Sequence, residues 1–183
     1  MPAGRATAPS ASAGRVRVWD VAVRVSHAAL AALVVFDLVA DDGGPLHRAV
    51  GYVAAALVVA RLAWAAFARG ENALAALRPS LRRTFAYLRA GAPRTVGHDP
   101  LGVWMVWLLW SLVLLLGVTG WMSRLDAFWG DDRVHAVHAW LADALLVAVA
   151  LHLAGVAAMS WRWRENLPRA IVTGTKRVAD PPR

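Results

Sequence analysis

Apolar residues gather into four long runs separated by polar breaks, at about residues 19 to 40, 46 to 68, 101 to 123 and 134 to 160. Each is near or above the roughly 20 residues that cross a hydrocarbon core as a helix. The pattern predicts an all-α fold, an integral membrane four-helix bundle, and the even number of crossings puts both termini on one side. The breaks sharpen the ends. "ADDGGP" closes the first run, with Pro45 where a first-turn proline is tolerated. In "GHDPLG", Asp99 is the expected N-cap and Pro100 the expected first residue of the third helix. The second run, "LHRAVGYVAAALVVARLAWAAF", is rich in Ala and Gly, which lets neighbouring helices approach closely. Between the second and third runs, "LRPSLRRTFAYLRAG" sets Leu77, Leu81, Phe85 and Leu88 at helical spacing among arginines, the pattern of a short helix lying in the membrane interface. Trp104, Trp107 and Trp110, three apart, read as packing and lipid-facing surface.

Composition strengthens the membrane reading, since 58% hydrophobic residues in 183 is too apolar for a soluble domain. The net charge of +8 raises nucleic acid as a partner, so the distribution of charge decides. Arg5, Arg15, Arg17 and Arg24 precede or begin the first run. Arg69, Arg78, Arg82, Arg83, Arg89 and Arg94 fill the long middle loop, and Arg162, Arg164, Arg169, Lys176, Arg177 and Arg183 follow the fourth run. The other two connections, "DDGGPLHR" and "SRLDAFWGDDR", are acidic or balanced. This asymmetry is the positive-inside signature, which predicts cytoplasmic termini and a cytoplasmic middle loop, and it accounts for the charge without nucleic acid. Residues 1–15 are expected to form a disordered lead, 16–175 the membrane domain and 176–183 a basic tail. The lead has no apolar stretch and reads as something other than a cleavable signal. The chain has no cysteine, which removes disulfides, thiolate metal sites, iron–sulfur clusters and covalent c-type haem attachment.

The chemistry rests with histidine. Of the six, His27, His47, His98, His135, His138 and His152, several fall inside the apolar runs, where an ionisable side chain is costly and marks a cofactor or ion site. His138 and His152 are fourteen residues apart in the fourth run. At about 100° per residue they return to within about 40° of one face, about 21 Å apart along the axis. His135 falls about 100° away from His152 and is the poorer partner. Depth supplies the second ligand for each. His27 lies in the cytoplasmic third of the first helix, level with His152, and His47 begins the second helix at the outer surface, level with His138. Two bis-histidine sites without converging carboxylates suit haem b better than a bare metal ion, which takes three or more protein ligands. Haem needs only two axial imidazoles. Gly51, Ala55 and Gly155 leave room beside the ligands, and Arg24, Arg48 and Arg61 are candidates for the propionates, Arg61 being the deepest. A histidine-based metal transporter and a haemless membrane anchor are the rival readings; the first lacks polar residues along a path, and the second leaves four depth-matched histidines unexplained.

Five stretches in order, "VWDVAVRVSH", "HRAVGY" with "ARLAW", "GHDPLG", "HAWLADALLVAVALHLAGV" and "RENLPRAIVTG", resemble the bacterial cytochrome b-561 family, which includes the b-type cytochrome subunits of nickel-iron hydrogenases. The resemblance implies a four-helix di-haem b cytochrome of the bacterial inner membrane. Its expected role is to move electrons between the quinone pool and a redox partner such as a hydrogenase, another dehydrogenase or a c-type cytochrome, with quinone as a further ligand. Carried over by position, the iron ligands are His27, His47, His138 and His152. His98, in "GHDPLG", matches a family loop that supplies no ligand. Ala139 departs from the family, where an acidic residue after His138 is expected in many relatives. Bond-making catalysis is not implied, and no quinone pocket is legible.

Overall fold

The computed structural model describes residues 14–39 and 43–178. In chain order it holds β1 (Arg15–Arg17), α1 (Val21–Val39), α2 (Pro45–Phe67), α3 (Leu81–Arg89), α4 (Pro100–Met122), α5 (Asp132–Arg162), α6 (Leu167–Thr173) and β2 (Thr175–Arg177). Four of the helices, α1, α2, α4 and α5, are long and apolar enough to cross a membrane. The predicted runs and the observed helices agree to within about two residues at each end. Local chemistry explains the starts. Pro45 opens α2, and Pro100 opens α4 behind Asp99, whose carboxylate accepts from the amides of Leu101 and Gly102. Asp131 caps α5 and Ser80 caps α3 in the same way.

α2 is the central helix, packed between α1 and α4, and α4 in turn carries α5. Val58 and Ala54 of α2, Leu112 and Val113 of α4, and Leu141, Leu145 and Ala148 of α5 form the buried centre. The α2–α4 contact is very close: a Cβ on Gly117 would stand 2.9 Å from the Ala55 methyl. The small residues of α2 therefore act as predicted at Ala55. α5 makes no comparably close backbone approach to α1 or α2. The outer surface is apolar, with Val35, Val59, Leu115, Val118, Val147 and Leu151 all exposed. A patch of that size suits lipid rather than water.

One prediction is corrected in the middle loop. Leu77 does not join the amphipathic helix, because Pro79 and the Ser80 cap delay its start to Leu81. Leu77 instead sits in a 3-10 turn, Leu74–Leu77, and is buried in the core at 1% exposure. Leu81, Phe85 and Leu88 are exposed on α3, interleaved with exposed Arg82, Arg83 and Arg89. Tyr87 and the Trp104 indole donating to Thr84 Oγ1 hold α3 against α4.

At one end of the bundle the two chain flanks and the loop before α4 are tied into a cap. β1 and β2 pair antiparallel, Val16 opposite Lys176. This two-stranded ribbon takes in Arg15 from the predicted lead and Lys176 and Arg177 from the predicted tail; residues 1–13 and 179–183, the rest of those segments, lie outside the described residues, as do 40–42 of the "ADDGGP" connection. Arg94 donates twice to Glu165, at 2.9 and 3.1 Å, and Glu165 also accepts from the Arg177 amide at 2.9 Å. Lys176 is buried between the Trp19 and Trp163 rings and donates to the Gly97 carbonyl. Gly174, at φ +77°, ends α6, and a Cβ there would meet the Trp19 carbonyl at 2.7 Å, so only glycine fits. Both flanks thus meet at the same end of the bundle.

Burial by itself raises the Glu165 carboxyl, but the Arg94 and Arg177 hydrogen bonds and nearby positive charge outweigh it and hold the pKa below its ordinary value. Its folded pKa is the lower one, so the stability it contributes is present above the ordinary carboxylate range and lost as pH falls through the folded value. Glu165→Gln is expected to cost about 3 kcal/mol, the scale for breaking a buried ion pair. It should also flatten the acid limb of the stability curve, as read by thermal melting in detergent across pH.

Candidate functional site

The spacing of fourteen on α5 carries the site. A helix returns nearly to the same face after fourteen residues. His138 and His152 accordingly lie on the side of α5 that faces α1 and α2. The His152 ring lies 6.4 Å from that of His27 on α1, and the His138 ring 6.3 Å from that of His47 on α2. The ring planes cross at 50° and 78°. His135 is exposed and joins neither pair. The pairing expected from depth is therefore the pairing observed, and it falls where α5 stands off from α1 and α2.

The His27 pair lies toward the capped end. Beside His27 opens a cavity whose walls include Trp19, Ser26, Arg61, His98 and Trp110. Arg61 is buried at 9% exposure in the α2 interior, its guanidinium 5.9 Å above the Trp110 ring, and its Nη1 has no hydrogen-bond partner. Arg24 donates to the Val172 carbonyl, while its Nε is buried without a partner. Arg61 thus brings a cationic donor with unfilled hydrogen-bonding capacity to the cavity wall. Arg48 is elsewhere, at the far end, where it donates to the Gly43 carbonyl at 2.9 Å.

His98 stands edge-on to Trp19 at 4.6 Å, with Nδ1 buried and unpartnered. Burial, with the Lys176 and Arg61 charges adding to it and Asp99 opposing, pushes its pKa down to about 4. It is a neutral wall of the cavity at ordinary pH.

The His47 pair has partners that the sequence reading missed. His138 Nδ1 lies 2.8 Å from Thr119 Oγ1, and His47 Nδ1 lies 3.5 Å from Asp37 Oδ1. Asp37 was visible as an ionisable residue inside an apolar run, which is a signal in its own right. Thr119 gave none, because a hydroxyl in a membrane helix ordinarily bonds its own backbone. Gly51 does not simply leave room for a ring; a Cβ there would lie 3.1 Å from Asp37 Oδ2. Gly155 does face open space, with nothing within 4 Å of a Cβ. Trp110, expected as packing or lipid-facing surface, is packed, and it lines the cavity as well. Among the described residues no three His, Asp or Glu side chains converge as a metal-holding group.

The fold is a membrane helical bundle that brings two histidine pairs together at two depths. A family model for prokaryotic cytochrome b561 matches residues 18–174, and the chain belongs to that family. It is a membrane b-type cytochrome that serves electron transfer, and b-type haem binding comes with the family. Among curated proteins none gives a significant match.

The low pKa of His98 has a testable consequence. An unfolded chain takes up a proton on this group near pH 6.5, and the folded chain does so only near 4. Its contribution is complete above about 6.5 and declines as pH falls toward 4. His98→Gln should therefore melt with a shallower loss of stability than the parent between those values, in paired thermal scans.

Proposed function

We propose that this chain is a di-haem b cytochrome of the bacterial inner membrane. His27 and His152 hold one haem near the capped end, and His47 and His138 hold the other near the opposite face. The observation that carries the reading is the near-identical ring separation of the two pairs, 6.4 and 6.3 Å. A metal held between two imidazoles, at about 2.0 to 2.1 Å from each nitrogen, would put ring centroids about 6.2 to 6.4 Å apart once the ring's own size of about 1.1 Å is added on each side. Direct packing of two unliganded rings would not require both pairs to take that value. The open space beside Gly155, one turn after His152, is consistent with room for such a group.

When bound, the group would supply a reversible one-electron change, and two histidines held at each site would leave the iron no room to take up a substrate. The protein's residues do the rest. Four histidines fix two cofactors on one shared arm, α5, at depths about 21 Å apart along its axis. Arg61 and Arg24, buried with unfilled donors, are the propionate partners at the capped end, and Arg48 is the candidate at the other.

Orientation follows from charge. The capped end carries the arginine-rich middle loop and both flanks, so the positive-inside rule puts it, with both termini, in the cytoplasm. Electrons then pass between the quinone pool and a redox partner, for which a hydrogenase, a dehydrogenase or a c-type cytochrome are the candidate classes.

The reduced-minus-oxidised spectrum of the purified protein, with a pyridine haemochrome count, tests this directly. Two haems b per chain are expected. His27→Ala and His152→Ala should each lose the haem near the cap, His47→Ala and His138→Ala the other, and His135→Ala should keep both. A chain without haem would leave a membrane anchor as the reading, and one haem per chain would sink the two-site assignment.

A further inference from the structure

The two histidine pairs are not equivalent, and the difference lies in what holds the far edge of each ring. Thr119 is buried at 9% exposure on α4. Its hydroxyl lies 2.9 Å from the Leu115 carbonyl and 3.2 Å from that of Leu116, acceptors that take its single proton. Toward His138 it can then only accept, so the 2.8 Å contact makes Nδ1 the protonated ring nitrogen. That tautomer leaves Nε2 with its lone pair free. A metal-ligating histidine ordinarily has its other N–H anchored in this way.

On the partner ring, the group facing Nδ1 is the carboxylate of Asp37, 3.5 Å away. Neither the Asp37 Oδ1 nor the His47 Nδ1 has a hydrogen-bond partner, and both are buried. Gly51, one turn after His47, provides the space that the carboxylate occupies. A carboxylate inside a spanning helix is expensive and needs a counterpart. Here the counterpart is a ring edge. Among the described residues the side chains of His27 and His152 make no hydrogen bond, so the pair near the cap lacks both kinds of anchor.

We propose that Asp37 and Thr119 are positioning residues that orient His47 and His138 through Nδ1 and set the haem at that end to a lower reduction potential than its partner. This rests on the di-haem reading. A carboxylate against Nδ1 raises the basicity of the ligating imidazole and adds negative charge beside the site, both of which favour the oxidised form. The potential difference gives electron transfer along α5 a built-in thermodynamic direction toward the cap.

Redox titration followed in the haem absorption bands tests the proposal, with the two components assigned by the variants His138→Ala and His152→Ala. In the wild type the component lost in His138→Ala should be the lower one. Asp37→Asn should raise the midpoint of that component by about 60 mV, a tenfold change in the relative stability of its two oxidation states. The component lost in His152→Ala should stay where it is. Asp37→Glu, which keeps the charge, should return the midpoint most of the way. Thr119→Val should change the low-spin electron paramagnetic resonance signal of the same haem and leave the other signal alone. Should Asp37→Asn lose its haem, Asp37→Glu and Thr119→Val carry the same test. An unmoved midpoint in a fully loaded Asp37→Asn, or equal shifts in both components, would overturn the proposal while leaving the di-haem count intact. A wild type without haem would instead overturn the reading beneath it.

Discussion

Placing an imidazole within the apolar thickness of a membrane protein is costly unless the ring has a partner, and α5 carries two such rings on one face. Everything else in the bundle answers that constraint. α1 and α2 must each present a histidine at the right depth, which fixes their antiparallel course and the level at which each meets α5. α5 packs on α4 and stands off from α1 and α2. The close contacts therefore run from α1 to α2, from α2 to α4 and from α4 to α5, leaving the last side of the bundle for the histidines.

The bundle can be open on that side because it is closed firmly elsewhere. Gly117 lets α4 come against Ala55 of α2, and Leu77, folded in from the middle loop, fills the core beside them. At the capped end, Glu165 collects Arg94 and the Arg177 amide, and Lys176 lies between two tryptophans. Distant parts of the sequence are thus locked together next to the cavity that His27, Arg61 and His98 share. A buried network of this kind is only modestly stabilising in total, but losing one member is costly, so it serves to fix geometry. The basic residues on which the positive-inside expectation rests are in part the same residues that build the cap.

The two histidine pairs show how similar geometry can carry different chemistry. Their ring separations, 6.4 and 6.3 Å, agree to within 0.1 Å. Their surroundings do not agree. One lies beside a cavity lined by Arg61, a cation with unfilled donor capacity, and the other has a carboxylate and a hydroxyl facing the ring edges. Electrostatics of this order is how a protein tunes a cofactor whose intrinsic chemistry it does not change.

Much of this was written in the linear pattern. Four apolar runs of spanning length, with Pro and Asp at helix starts, determine the helices, because each signal depends only on residues near in sequence. The histidine pairing was legible for the same reason, since helical rotation and depth are both functions of residue number. Tertiary structure alone decided what no local rule carries. Pro79 sends Leu77 into the core instead of onto the α3 surface, the flanks pair as a ribbon through Val16 and Lys176, and Thr119 and Asp37 come to the edges of histidines on other helices. Each of those depends on which faces of separate helices meet, and that is set by the packing of Gly117, Ala55 and the core around Val58 rather than by any residue's immediate neighbours.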